Sequence, residues 1–116
     1  MSTDRFAVED VLIGLADPTR RQILDALAEA GSGTATTVAS GLSVSRQAVV
    51  KHLAVLRRAG LVTAHREGRE VRYRLCPQGL DDTARWIAGL ADNWDRRLRA
   101  IRQFTQSADP QSNEPR

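Results

Sequence analysis

The sequence has 116 residues, of which 41% are hydrophobic and 27% charged, with a net charge of +3; that is the composition of an ordinary globular protein with room for one domain and a modest core. No apolar run approaches the roughly 18 residues that a membrane span requires, the opening MSTDRFAVED has no apolar stretch of the kind a secretory signal carries, and a single cysteine, Cys76, excludes an internal disulfide. A cytoplasmic protein in reducing surroundings is expected, and a domain this small commonly completes its burial against a second subunit.

In chain order, residues 1–4 read as loose, and a first helix is expected from Arg5 to Ala16. Its apolar positions Val8, Val11, Leu12 and Leu15 fall on one side, with Glu9 and Asp10 on the other. Asp17-Pro18 restarts the chain as N-cap and first helical residue, the latter needing no amide donor there. The second helix runs to about Ala30, buries Ile23, Leu24 and Leu27, and stops at Gly31. Arg20 and Arg21 sit in its first turn, a poor place for cations, so each needs a partner: Asp17 or Asp25 on one reading, a phosphate or a second subunit on another. Ser32 to Ala35 reads as a loop, and Thr36 or Thr37 as the cap of a short third helix, Val38 to Leu42, with Ser43 in the turn that follows; the hydroxyls of Thr36, Thr37 and Ser43 suit phosphates as well as these cap and turn roles.

From Ser43 to Leu75 the charge is lopsided. Arg46, Lys51, Arg57, Arg58, Arg66, Arg69, Arg72 and Arg74 face only Glu67 and Glu70, so this stretch is net +6 while the whole chain is +3. Local positive charge of this kind is the footprint of a nucleic-acid partner. Sixteen of the 17 basic residues are Arg, a choice that suits bidentate contacts and that a GC-rich genome produces as well. Ser45 is a good N-cap and Gly60 a good left-handed stop. Between them Val49, Leu53 and Leu56 recur at helical spacing as the buried stripe, which leaves Arg46, Gln47, Val50, Lys51 and Ala54 outward, on a face without an acidic residue. Small residues let a helix sink into the major groove, and long polar ones reach base edges and phosphates. Two alternating segments follow, Leu61–Arg66 and Glu70–Leu75, with Glu67-Gly68-Arg69 as the turn. Val71, Tyr73 and Leu75 lie on one face, and Arg72 and Arg74 on the other.

Beyond Pro77 and Gly79 a long helix is expected from about Leu80. Ile87, Leu90, Trp94, Ile101 and Phe104 lie near a seven-residue repeat, widened by Trp86 and Leu98. Either this stripe covers the subunit's own core or it meets a second subunit, and the second is the expectation adopted. The polar segment 107–116 has two prolines and no periodicity and reads as a disordered tail, leaving 1–106 as the folded domain.

Three segments carry a resemblance to a family: Leu-Ala-Asp-Pro-Thr-Arg-Arg at 15–21, Val-Ser-Arg-Gln-Ala-Val-Val-Lys-His-Leu at 44–53 and Leu-Arg-Arg-Ala-Gly-Leu-Val at 56–62. In that order and spacing, over roughly residues 6–105, the chain resembles the winged helix-turn-helix repressors of the ArsR type. The resemblance implies a mainly α fold with a small antiparallel β-hairpin wing, dimeric through its N- and C-terminal helices. It also implies DNA contacts at Ser45, Arg46, Gln47, Lys51 and His52. Chemistry agrees for three of these: Arg suits guanine, Gln adenine and Lys phosphate. His52 fits a half-buried place at the helix seam equally well. Val50 stands where the family often has a small hydroxyl residue, yet suits a thymine methyl. Ser43 joins the set as a phosphate contact, with a turn role as its alternative, and Arg69 at the wing tip suits a minor groove or backbone. For the dimer, Val8 and Leu12 of the first helix and Ile87, Leu90, Trp94 and Ile101 of the last are expected.

The family's metal-sensing sets, cysteines near the reading helix or Asp and His on the last helix, are missing from this sequence. Residues 34–40 hold only hydroxyl and small side chains, and Asp81, Asp82, Asp92 and Asp95 stand alone on the last helix, a set that suits a hard cation weakly. No metal or cofactor is expected. An unknown small-molecule or redox effector stays open, with Cys76 read first as inert. No nucleophile-base pair or phosphate loop appears, so no enzymatic activity is expected. The expected function is sequence-specific DNA binding by a dimeric, nucleoid-associated repressor that recognises an inverted repeat. The alternative is a winged-helix module that binds protein and not DNA.

Overall fold

A computed structural model describes residues 3–108. Their elements are α1 (Thr3–Ala16), α2 (Pro18–Ala30), β1 (Gly33–Thr34), α3 (Ala35–Ser40), α4 (Arg46–Arg58), β2 (Val62–Glu67), β3 (Glu70–Leu75) and α5 (Gln78–Ala108). The described residues form two compact units, one up to Thr83 and the other from Ala84 onward. The expected loose start lies partly outside the described residues, and the first helix begins earlier than its apolar pattern, at Thr3.

The core of the first unit joins α2 to α4. Ile23, Leu24 and Leu27 meet Val49, Leu53 and Leu56, with Val11, Ala35, Val38, Ala59, Leu61 and Val62 around them. Ile23, Val49, Leu53 and Leu56 are wholly inaccessible, and each such side chain stabilises the fold by roughly 1.5–3 kcal/mol relative to exposure. The stripe expected on the reading helix is therefore the one buried. Gly14 is also buried, and a Cβ there would lie 3.3 Å from Leu61 and 3.6 Å from Leu56, so the end of α1 rests closely on the end of α4.

Helix ends follow local chemistry. The Asp17 carboxylate accepts from the Arg20 amide at 3.0 Å ahead of Pro18, and Ser45 accepts from the Ala48 amide at 3.1 Å. At the far end of α4, the Gly60 amide donates to Arg57 O at 2.9 Å and the Leu61 amide to Leu56 O at 3.0 Å, with Gly60 at φ +77°. This is the Schellman closure, which needs a left-handed residue at that position. The third helix departs from expectation. It starts at Ala35, and its cap is Thr34, not Thr36 or Thr37. Thr34 Oγ1 accepts from the Thr37 amide at 3.1 Å while Thr37 Oγ1 accepts from the Thr34 amide at 2.9 Å, a reciprocal capping box with threonine in place of the usual Glu or Gln.

The segment 32–35, expected as a loop, contains β1. Gly33 and Thr34 pair with Tyr73 and Arg72 of β3, giving a three-stranded antiparallel sheet in the order β1-β3-β2. Two residues are too few for alternation to reveal a strand. In the hairpin, Val62 pairs with Leu75 and Glu67 with Glu70. The connection is Gly68-Arg69, with Gly68 at φ +64°, so Glu67 belongs to the strand and not to the turn.

In the second unit α5 continues as an unbroken helix. Trp86, Ile87, Trp94, Leu98, Ile101 and Phe104 are exposed along it, Leu90 is half-buried, and Asp95 pairs with Arg99 one turn on. Ser107 and Ala108, assigned from sequence to the tail, are helical; the rest of that tail lies outside the described residues. No helix among the described residues is long and apolar enough to cross a membrane.

Candidate nucleic-acid interface

Burying Val49, Leu53 and Leu56 fixes which side of α4 faces out. Arg46, Gln47, Val50, Lys51 and Ala54 are all exposed, Val50 at 38%. A valine between long polar side chains is short enough for a groove wall, where it can touch a thymine methyl. Ser43 and Ser45 are exposed at the entrance to the helix, although the Ser45 hydroxyl already serves as the N-cap. Arg46 is held from the side: its Nε donates to Thr36 Oγ1 of α3 at 3.1 Å.

The wing contributes unevenly. Arg66, Arg69 and Arg74 are exposed. Arg72 is not available in the same way, because its guanidinium faces Glu67 at 3.2 Å and Glu70 at 3.9 Å and donates to Ser32 Oγ at 3.2 Å. Both acidic residues of the basic stretch are thus used within the wing by one arginine. Arg46, Val50 and Thr36 on one side and Arg69, Val71 and Tyr73 on the other line an open cleft of about 270 Å³. Thr36, whose hydroxyl suited a phosphate as well as a cap, lies in this cleft, and Tyr73 lies there unforeseen, since its place on the apolar face of β3 gave no interface signal.

His52 does not share the outward face. Its side chain is 24% exposed, with Nδ1 3.4 Å from Arg20 Nη1 and 4.0 Å from Asp17 Oδ2; of the two positions open from sequence, it occupies the seam. The guanidinium groups of Arg20 and Arg21 pair with neither Asp17 nor Asp25. Arg20 donates to the carbonyls of Gly14 and Ile13, each at 2.9 Å, and Arg21 donates to Leu15 O. The last carbonyls of α1 have no partner within their own helix, and two cations at the start of the next helix supply them. The connection through Asp17 is too short for any other element to intervene, which explains arginines in an otherwise unfavourable first turn.

For the surfaces assigned to a second subunit, Leu12 is 39% exposed but Val8 only 7%. Val8 is thus largely closed off within this chain, whereas Ile13, not anticipated, is 59% exposed. On α5, Ile87, Trp94 and Ile101 are open at 48–59%. Cys76 is half-buried at the end of β3, where its amide donates to Leu61 O at 2.8 Å. Among the described residues no group of three or more His, Cys, Asp or Glu side chains is arranged to hold a metal ion.

A family model described as a helix-turn-helix domain matches residues 15–65, the span from the end of α1 into β2. The transcriptional repressor SdpR of Bacillus subtilis is 32% identical over 91 residues, covering 78% of this chain and all of the relative. Among solved structures, an ArsR-like transcriptional regulator from Rhodococcus sp. RHA1 superposes with a TM-score of 0.77 at 41% identity, over 86% of this chain and 93% of that one. The winged helix-turn-helix DNA-binding domain of Mb0332 from Mycobacterium bovis, described as homodimeric, matches with a TM-score of 0.58 at 32% identity over 81% and 83% of the two chains. These relatives are named as regulators and not as enzymes. With the fold, the capped helix pair and the acid-free outward face of α4, they establish that the chain belongs to the ArsR-type winged helix-turn-helix transcriptional regulators, which bind DNA.

Proposed function

We propose that this regulator is a homodimeric repressor that binds an inverted-repeat operator, with α4 in the major groove and the β2–β3 wing on flanking DNA. The observation that carries this reading is the outward face of α4, where Arg46, Gln47, Val50 and Lys51 are all exposed with no acidic residue among them. Each has a defined task. Arg46 donates to guanine O6 and N7, Gln47 pairs with adenine N6 and N7, Val50 touches a thymine methyl, and Lys51 neutralises a phosphate. Ser43 and Ser45 contact the backbone where the helix enters the groove, and Arg69 reaches a phosphate or the minor groove from the wing tip. His52 acts from behind, at the seam. Leu12 and Ile13 on α1, and Ile87, Leu90, Trp94 and Ile101 on α5, form the surfaces that a second copy covers. Two reading helices then address half-sites about 34 Å apart, and an occupied promoter is closed to polymerase.

The test is selection from a genomic fragment library, with the chosen sequences titrated against random DNA at several salt concentrations. Expected are an inverted repeat bound ~10³-fold or more above random DNA and a steep salt slope. Weak binding that is indifferent to sequence overturns the proposal and points to a winged-helix module that binds protein.

A further inference from the structure

Every guanidinium nitrogen of Arg20 has a partner within the chain. Nε donates to Gly14 O and Nη2 to Ile13 O, both at 2.9 Å, and Nη1 approaches His52 Nδ1 at 3.4 Å. The Arg20 amide is itself held by Asp17 Oδ2 at 3.0 Å, and the same carboxylate oxygen lies 4.0 Å from His52 Nδ1. The end of α1, the start of α2 and the middle of α4 therefore meet at one side chain.

The contact sets a condition on the ring, because Nδ1 also lies 4.0 Å from Asp17 Oδ2, which favours a proton on that nitrogen. A guanidinium has donors only and keeps its charge, so it is attracted to Nδ1 only when that nitrogen offers its lone pair and the ring proton sits on Nε2. The apolar contacts of Val49, Leu53 and Leu56 set how deeply α4 is buried, but such contacts are non-directional. A hydrogen bond to His52 is directional and acts next to Lys51.

We propose that Arg20 is a positioning residue for DNA binding: by donating to Nδ1 of His52, with the ring proton on Nε2, it ties the C-terminus of α1 to α4 and sets the angle at which Arg46, Gln47 and Lys51 meet the groove. This rests on α4 being the reading helix. Neither residue touches DNA in this role.

The experiment compares Arg20→Met, His52→Ala, His52→Asn and the Arg20→Met/His52→Ala pair with wild type, using the selected operator at several salt concentrations. Asparagine keeps an acceptor near the place of Nδ1. Arg20→Met and His52→Ala should each weaken operator binding about 5–10-fold, the double variant no more than either single one, with an unchanged salt slope. His52→Asn should stay within about twofold of wild type. In the free protein, nitrogen NMR should show the Nε2–H tautomer at His52, disturbed by Arg20→Met. Additive losses, a salt slope smaller by about 1, which marks a lost phosphate contact, a His52→Asn variant as weak as His52→Ala, or an Nδ1–H tautomer in wild type would each overturn the proposal. If Arg20→Met does not fold, the two His52 variants and the wild-type tautomer decide. Wild type that selects no DNA sequence overturns the functional reading itself; the tautomer and the coupling of the two residues in thermal unfolding then decide whether the clamp exists.

Discussion

Arg46 Nε donates to Thr36 Oγ1 at 3.1 Å, so the first residue of α4 is oriented by α3 in the free protein. The pair is exposed, and an exposed hydrogen bond contributes about 0.5–1.5 kcal/mol at most. Thr36→Val should therefore leave the urea midpoint nearly unchanged. Operator binding should weaken about 3–10-fold, because Arg46 must then be ordered at the moment of binding. Tighter binding by the variant would mean that Thr36 holds Arg46 away from its base.

Gln47 and Lys51 are exposed on the same face of α4 but should fail differently. Gln47→Ala removes a side chain suited to a base edge, and it should relax preference at one or two base pairs, each by about 1–3 kcal/mol. Lys51→Ala should weaken all sequences alike and lower the salt slope by about 1. Selection profiles and salt titrations of the two variants separate these outcomes. If both leave preference and slope as in wild type, α4 is not the reading helix.

Gly60, at φ +77°, ends α4, and nothing lies within 4 Å of a Cβ placed there. Gly60→Ala meets no clash, so its cost is that of the left-handed backbone alone, about 1–2 kcal/mol. Chemical denaturation should show that loss without a change in the slope of the transition. A loss much larger than this would mean that the turn between α4 and the wing rearranges.

The long elements were legible because each announces itself twice, by period and by its ends. In α4 the stripe Val49, Leu53, Leu56 agrees with Ser45 and Gly60, and in α2 Ile23, Leu24 and Leu27 agree with Asp17-Pro18 and Gly31. The outward face of α4 follows once its buried face is known. What stayed hidden depends on how separate elements meet, whether distant in sequence or adjacent. β1 is two residues whose partner lies about 40 residues later, and Thr34 caps α3 because β1 delivers it there. The sequence places Arg20 and Arg21 correctly in α2, yet their carbonyl partners on α1 depend on how two helices fold back on each other. Arg72 looks like any other wing arginine until the hairpin register sets it beside Glu67. Val8 fits the apolar side of α1 as well as Leu12 does, and only packing separates the buried residue from the open one.

Thr83 is 3% exposed, and its hydroxyl has no hydrogen-bond partner among the described residues. A buried hydroxyl left unsatisfied is a desolvation cost with no return, and replacing it by an apolar group of the same shape is neutral or favourable. Thr83→Val should accordingly keep or raise thermal stability, by up to about 1 kcal/mol. A clear loss in calorimetry would show that the hydroxyl is satisfied in solution.

Trp94 is 57% exposed and shares α5 with Ile87, Leu98, Ile101 and Phe104, each between 48% and 74% exposed. Scattered apolar residues on a surface need no explanation, but a stripe of this length with an open tryptophan marks a contact site. If a second copy covers it, Trp94→Glu puts a charge into the joint, and burying an unpaired carboxylate costs several kcal/mol. Sedimentation should then find monomer where wild type is dimer. Operator binding should fall by far more than the loss of one DNA contact, because two half-sites are no longer addressed by one particle. The fold of the first unit should persist, since the core around Ile23 and Leu53 contains no residue of this stripe. A Leu12→Glu variant tests the α1 surface separately, as Leu12 is also open. Dimers that survive Trp94→Glu but not Leu12→Glu would assign the joint to α1 alone, and dimers that survive both would remove the proposed interface altogether.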